Sequence, residues 1–137
     1  MATATNSEVE YKVSDGPPYI AFNDVSKAFG ENRVLDHVSF DVLPGETVCI
    51  LGRSGVGKSV ALHHIMGFLK PDSGRVIVAG EDITDYPEDE LERIRKKVTM
   101  VFQNGALFDS LSVGENVAFP LRERGNLTEE QTYQIVD

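Results

Sequence analysis

Gly52, Arg53, Ser54, Gly55, Val56, Gly57, Lys58 and Ser59 follow one another without interruption. A glycine, four residues and then Gly-Lys-Ser is the spacing of a phosphate-binding loop. The chemistry this suits is capture of a phosphoanion. Glycines let backbone N–H groups turn inward without a Cβ clash. Those N–H groups and the helix N-terminus that follows make a concave anion site. In such a loop Lys58 would reach the β- and γ-phosphates of a nucleotide as a point charge, and Ser59 would place its hydroxyl on Mg2+. A side chain at position 57 would crowd the phosphates. Alanine at position 59 would remove a metal ligand.

The loop needs a strand before it and a helix after it. Residues 48–51 are a short apolar run, Val-Cys-Ile-Leu, suited to a buried strand, and residues 58–69 are compatible with a helix. Upstream, residues 19–25 are strand-like. Residues 38–43 alternate, with Val38, Phe40 and Val42 on one face. Pro44-Gly45 is a turn signal, and a strand is expected from Glu46 to Leu51. Pro71-Asp72-Ser73-Gly74 closes the helix after the loop, and residues 75–79 form a short β-branched strand. Residues 87–97 read as a helix with an early proline and acidic residues in its first turn. Residues 98–102 read as another apolar strand. Ser112 suits a helix cap and Pro120 a kink, and Thr128 with Gln131 is a capping box.

Size and charge narrow the classes. A chain of 137 residues is one domain or part of one. Its net charge of −9 argues against non-specific nucleic-acid binding, which needs a basic face. The one basic cluster, Arg93, Arg95, Lys96 and Lys97, reads as a solvated helix end. No apolar stretch approaches the ~20 residues that span a bilayer. Cys49 is alone, which excludes a disulfide framework and suggests a small buried hydrophobe. His63 and His64 have no further ligands grouped with them and read as structural or surface residues.

A phosphate loop is shared by kinases, GTPases and transport ATPases, so its surroundings decide. The sequence resembles the ATP-binding subunits of ABC transporters from Tyr19 onward. The resemblance rests on Val25-Ser26-Lys27-Ala28-Phe29-Gly30, Val34-Leu35-Asp36-His37-Val38-Ser39-Phe40 and Pro44-Gly45-Glu46 before the loop. After it come Gly67-Phe68-Leu69-Lys70-Pro71-Asp72-Ser73-Gly74 and Val101-Phe102-Gln103. It implies that Phe29 stacks on adenine and that Val34 lies near the ribose. It also implies that Gln103, as the family's glutamine loop, offers its amide oxygen to Mg2+ and the attacking water. Residues 102–108 and 113–122 are similar to the branch linked to phospholipid trafficking and organic-solvent tolerance in the bacterial envelope. In the family this region receives the membrane permease, which makes Ala106, Leu107 and Phe108 docking candidates. Packing within a small helical subdomain is the other reading of those three residues.

The resemblance implies an α/β fold: an ABC-type phosphate-loop NTPase, present in part. Residues 1–18 are expected to be a flexible tail. Residues 19–103 are expected to be an antiparallel β subdomain with part of a parallel-sheet core, and 104–137 the start of the helical subdomain. Strands that separate 48–51 from 98–102 in the family are expected beyond residue 137, leaving an apolar edge exposed. The signature motif, the second acidic motif, the catalytic glutamate and the switch histidine are expected there too. The implied ligands are ATP and Mg2+. The implied partners are an integral-membrane permease, met near residues 103–108, and a second ATP-binding subunit, at the cytoplasmic face of a membrane. The chain by itself is expected to hold ATP without hydrolysing it. A non-catalytic nucleotide-binding or interaction module, and a phosphate-loop kinase of another class, stay open as alternatives.

Overall fold

The computed structural model describes residues 16–53, 55, 57–102 and 105–136. Most of the expected N-terminal tail, together with Ser54, Val56 and Gln103, lies outside them. The chain divides into two compact units, Met1–Thr99 and Met100–Asp137.

The first unit is built on an antiparallel sheet of order β2-β1-β3-β4. Its strands are β1 (Ile20–Phe29), β2 (Asn32–Val42), β3 (Ser73–Val78) and β4 (Glu81–Asp82). The β1 and β2 strands are longer than the sequence pattern suggested, because they form one hairpin with Phe29 opposite Asn32. Its register shifts at three points, and Asp24 and His37 lie at two of them. Asp24 and His37 have φ of 56° and 50°, a left-handed conformation that Asp and His tolerate better than most side chains. The Asp24 N–H donates to Ser39 Oγ at 2.9 Å, and the His37 N–H donates to Ser26 Oγ at 3.0 Å. The His37 Nδ1 and Asp24 Oδ1 atoms lie 2.8 Å apart. Serine hydroxyls thus replace the ladder bonds that the bulges interrupt.

Helices α1 (Lys58–Ile65) and α2 (Glu88–Arg95) supply the other side of the core. Phe22, Val25, Leu35, Ala61, Ile65, Val76, Val78, Ile83, Leu91 and Ile94 form one buried cluster. The Phe22 ring stacks on Phe40 at 4.6 Å between centroids, as the alternation over 38–43 required. The turn after α1 is tied to β1 by Asp72. Its carboxylate accepts from Lys27 Nζ and from the Ala28 N–H, both at 2.8 Å. Close by, Gly74 has φ +87°, and a Cβ there would meet the Asp24 carbonyl oxygen at 2.3 Å, so only glycine fits.

Two expected strands are not formed. Residues 46–53 and 98–102 carry no strand, and Leu51 and Val101 are each 87% exposed. An extended segment becomes a strand only with a hydrogen-bonding neighbour, and among the described residues neither segment has one. Cys49 is therefore exposed, which corrects the expectation of a buried thiol.

The second unit holds α3 (Val113–Glu123) and α4 (Glu129–Val136). Both start at the caps read from sequence. The Ser112 and Glu115 side chains each bond the other's backbone N–H. The Thr128 N–H donates to Gln131 Oε1 at 2.9 Å, and the Gln131 N–H returns the bond to Thr128 Oγ1 at 3.2 Å. Pro120 lies inside α3.

Candidate phosphate-loop site

Helix α1 begins where the loop ends. Gly57 is its cap residue with φ +94°, and the Ala61 N–H closes the first turn on the Gly57 carbonyl at 2.9 Å. No acidic side chain lies in that first turn, so the positive end of the helix dipole is left uncompensated. Gly57 is buried against β2. A methyl group added there would sit 2.8 Å from Val34 Cγ1 and 3.0 Å from the Val34 carbonyl oxygen. The structure thus brings Val34 and the loop together, with Val34 backing the start of α1.

Lys58 folds over the loop. Its ammonium donates to the Gly52 carbonyl at 2.7 Å and to the Arg53 carbonyl at 2.6 Å. These two bonds tether the charge at the loop and leave one of three N–H groups for an anion. Ser59 is exposed on the first turn of α1. Gly52, Arg53 and Gly55 are exposed, and Gly55 has φ +82°. The donor set therefore fits a polyphosphate: one tethered ammonium, one hydroxyl and a side-chain-free helix start. Ser59 is a suitable oxygen donor for Mg2+. Among the described residues no three His, Cys, Asp or Glu side chains group as a metal site.

Phe29 stands at the turn end of the β1–β2 hairpin, 47% exposed, with Lys27 Nζ 5.7 Å from its ring centroid. A half-exposed aromatic is available for stacking. The expected ligands Ser54, Val56 and Gln103 lie outside the described residues.

Several contributors escaped the sequence reading. Arg93 and Lys97, read as a solvated helix end, converge on Glu81: Arg93 Nη2 lies 2.6 Å from Oε2 and Lys97 Nζ 2.7 Å from Oε1. Those partners, Arg93 first, hold the Glu81 carboxyl down to about 2. Arg95 bonds the Met66 carbonyl at 3.0 Å, pairs with Glu88 and lies over the Phe68 ring. These contacts fasten α2 to the segment that follows α1. No sequence spacing signals a pairing between residues so far apart.

In the second unit Asn116 anchors the loop before α3. Its Oδ1 accepts from the Phe108 N–H at 2.8 Å, and its Nδ2 donates to the carbonyls of Phe108, Leu111 and Ser112 at 3.0–3.1 Å. The one available signal was an asparagine inside a helix, where it is a poor former. Phe108 packs on Phe119 with centroids 4.7 Å apart. Leu107, Phe108, Leu111, Val113 and Val117 line an open apolar groove of about 370 Å3, with Asn116 and Asp109 at its side.

The sequence profile of the family described as "ABC transporter" matches residues 35–137. The chain belongs to the ABC transporter ATP-binding family. It is 43% identical over 123 residues to the chloroplastic protein Trigalactosyldiacylglycerol 3 of Arabidopsis thaliana, covering 90% of this chain and 35% of that protein. It is 40% identical over 117 residues to the probable ribonucleotide transport ATP-binding protein mkl of Mycobacterium tuberculosis, covering 85% and 33%. Among solved structures, the dimeric ATP-binding cassette MJ0796 in a post-hydrolysis state with ADP and Pi superposes with a TM-score of 0.73. That match has 34% identity over 85% of this chain and 53% of the other. The chain thus spans about a third of these relatives' length and about half of the solved cassette. These relatives carry names that point to different molecules. The antiparallel sheet with its helices is the corresponding part of the ABC ATPase fold.

Proposed function

We propose that residues 52–59 hold the triphosphate of ATP with Mg2+, and that the whole protein couples ATP binding and hydrolysis to transport through a membrane permease. The observation that carries this is the Lys58 ammonium, tethered by the Gly52 and Arg53 carbonyls beside a glycine-started helix. Lys58 neutralises phosphate charge, and the N-terminus of α1 orients the anion. Ser59 supplies a metal ligand, and Phe29 a stacking face for adenine. Val34 fixes the start of α1 and lies near the ribose. Ser54 and Val56 complete the loop, and Gln103 adds a ligand toward Mg2+ and water. When bound, Mg2+ spreads the charge of the phosphate oxygens.

The domain reading proposed is 19–103 as β subdomain and loop-bearing core, with 104–137 beginning a helical subdomain. The groove along Leu107, Phe108 and Val113 suits an apolar helix of an integral-membrane permease. That subunit would keep the protein peripheral on the cytoplasmic face of a membrane; among the described residues no helix is long and apolar enough to cross one. A second ATP-binding subunit completes the assembly. A phospholipid or related hydrophobic molecule is the proposed cargo.

Thermal unfolding with and without MgATP tests the nucleotide reading. A ligand that binds only the folded chain raises the midpoint in proportion to the logarithm of its excess over Kd. The wild-type midpoint should rise progressively up to millimolar MgATP. No rise at millimolar MgATP would refute it.

A further inference from the structure

We propose that His64 makes the seating of α1 proton-sensitive: its neutral imidazole locks the helix into the core, and proton uptake loosens it. His64 lies on α1, 1% exposed, with its ring edge toward Phe22 at 6.4 Å between centroids. Its Nδ1 is 2.7 Å from the Val60 carbonyl oxygen. A carbonyl can only accept, so Nδ1 carries the proton and Nε2 holds a lone pair. The Nε2 atom is buried and, among the described residues, has no hydrogen-bond partner.

The ring stands beside a void of about 10 Å3, whose walls include Leu69, Lys70, Val76, Ile83, Leu91 and Thr84. That space is at the lower limit for one water molecule and cannot hydrate a cation. Thr84 is already engaged, since its Oγ1 accepts from the Val76 N–H and donates to Asp82. Burial pushes the imidazole below its ordinary 6.5, and the Lys27 ammonium on β1 adds to this. The backbone of Val60 and Lys70 and the Asp72 carboxylate oppose it. Asp72 is itself committed to Lys27 at 2.8 Å.

The direction follows from linkage. Above pH 6.5 the ring is neutral in both folded and unfolded chains, and the full stability is present. As pH falls through 6.5 the unfolded chain takes a proton that the folded chain resists, so stability declines. One proton of difference changes the folding equilibrium by up to about tenfold per pH unit. Helix α1 also carries Lys58 and Ser59, so loosening it would disturb the loop. That last consequence rests on the nucleotide reading, whereas the test below uses no nucleotide.

Imidazole Hε1 shifts of the 137-residue chain, followed by NMR between pH 8 and 5, should show one histidine titrating below 6.5, and that peak should be missing in His64→Gln. Urea unfolding over the same range should show wild type and His63→Gln losing up to about tenfold in folding equilibrium per pH unit relative to His64→Gln. A His64 ring titrating at or above 6.5 would overturn the proposal, as would matching pH profiles for wild type and a folded His64→Gln. If His64→Gln does not fold, the wild-type ring titration decides alone.

Discussion

Lys58 and Gly57 show how a short motif becomes a site. The residue types were legible because phosphate capture needs a tethered cation and a helix start without side chains. The backing of that start was not legible, because Val34 lies 23 positions earlier and meets Gly57 only through the β1–β2 hairpin. Gly57→Ala should cost roughly 1–3 kcal/mol, since it combines a φ of +94° with a Cβ 2.8 Å from Val34 Cγ1. A urea midpoint within error of wild type would show that the close approach is relieved at no cost. His64 marks the limit of composition-based reading. Two adjacent histidines look alike in sequence, yet one is buried at 1% exposure and the other is half-buried beside Phe68.

Elements with local signals were read well. The caps at Ser112 and Thr128 and the helix entered through Pro87 depend on residues within four positions of each other. The strands at 46–51 and 98–102 were not, because a ladder depends on a neighbour as much as on apolar content. The sheet's attachment to α2 rests on Glu81, whose partners Arg93 and Lys97 are 12 and 16 positions away. Its carboxyl is held at about 2 against an ordinary 4.5. A depressed carboxylate contributes stability above its unfolded value and loses it as pH falls toward the folded one. Wild type should therefore be more stable than Glu81→Gln at neutral pH, and the gap should shrink between about pH 4.5 and 2. Urea midpoints measured across that window check this; a gap that stays constant with pH would remove Glu81 from the account.

At the scale of the whole molecule, the chain corresponds to about half of a solved cassette, and the proposed site gives it a phosphate cradle and one hydroxyl metal ligand. Hydrolysis also needs a base for the attacking water, and none of Lys58, Ser59, Phe29 and Gln103 can serve as one, since an ammonium, a hydroxyl, a phenyl ring and an amide do not take up a proton at neutral pH. Phosphate release by the purified 137-residue chain in MgATP should therefore not exceed the rate without protein; steady turnover would show that a base is present. The family was legible because its motifs fall in order along 19–122, whereas the cargo was not, since relatives of similar identity carry names that point to different molecules. Residues 52–59 are proposed to bind nucleotide through Lys58, with Phe29 in a supporting role. Isothermal titration of MgATP into wild type, Lys58→Ala and Phe29→Ala tests it most directly. Loss of a hydrogen bond to a charged group costs about 1.5–3 kcal/mol, so Lys58→Ala should weaken binding by roughly tenfold or more. Phe29→Ala should weaken it less. Equal losses, or a larger loss for Phe29→Ala, would contradict the roles assigned to both residues.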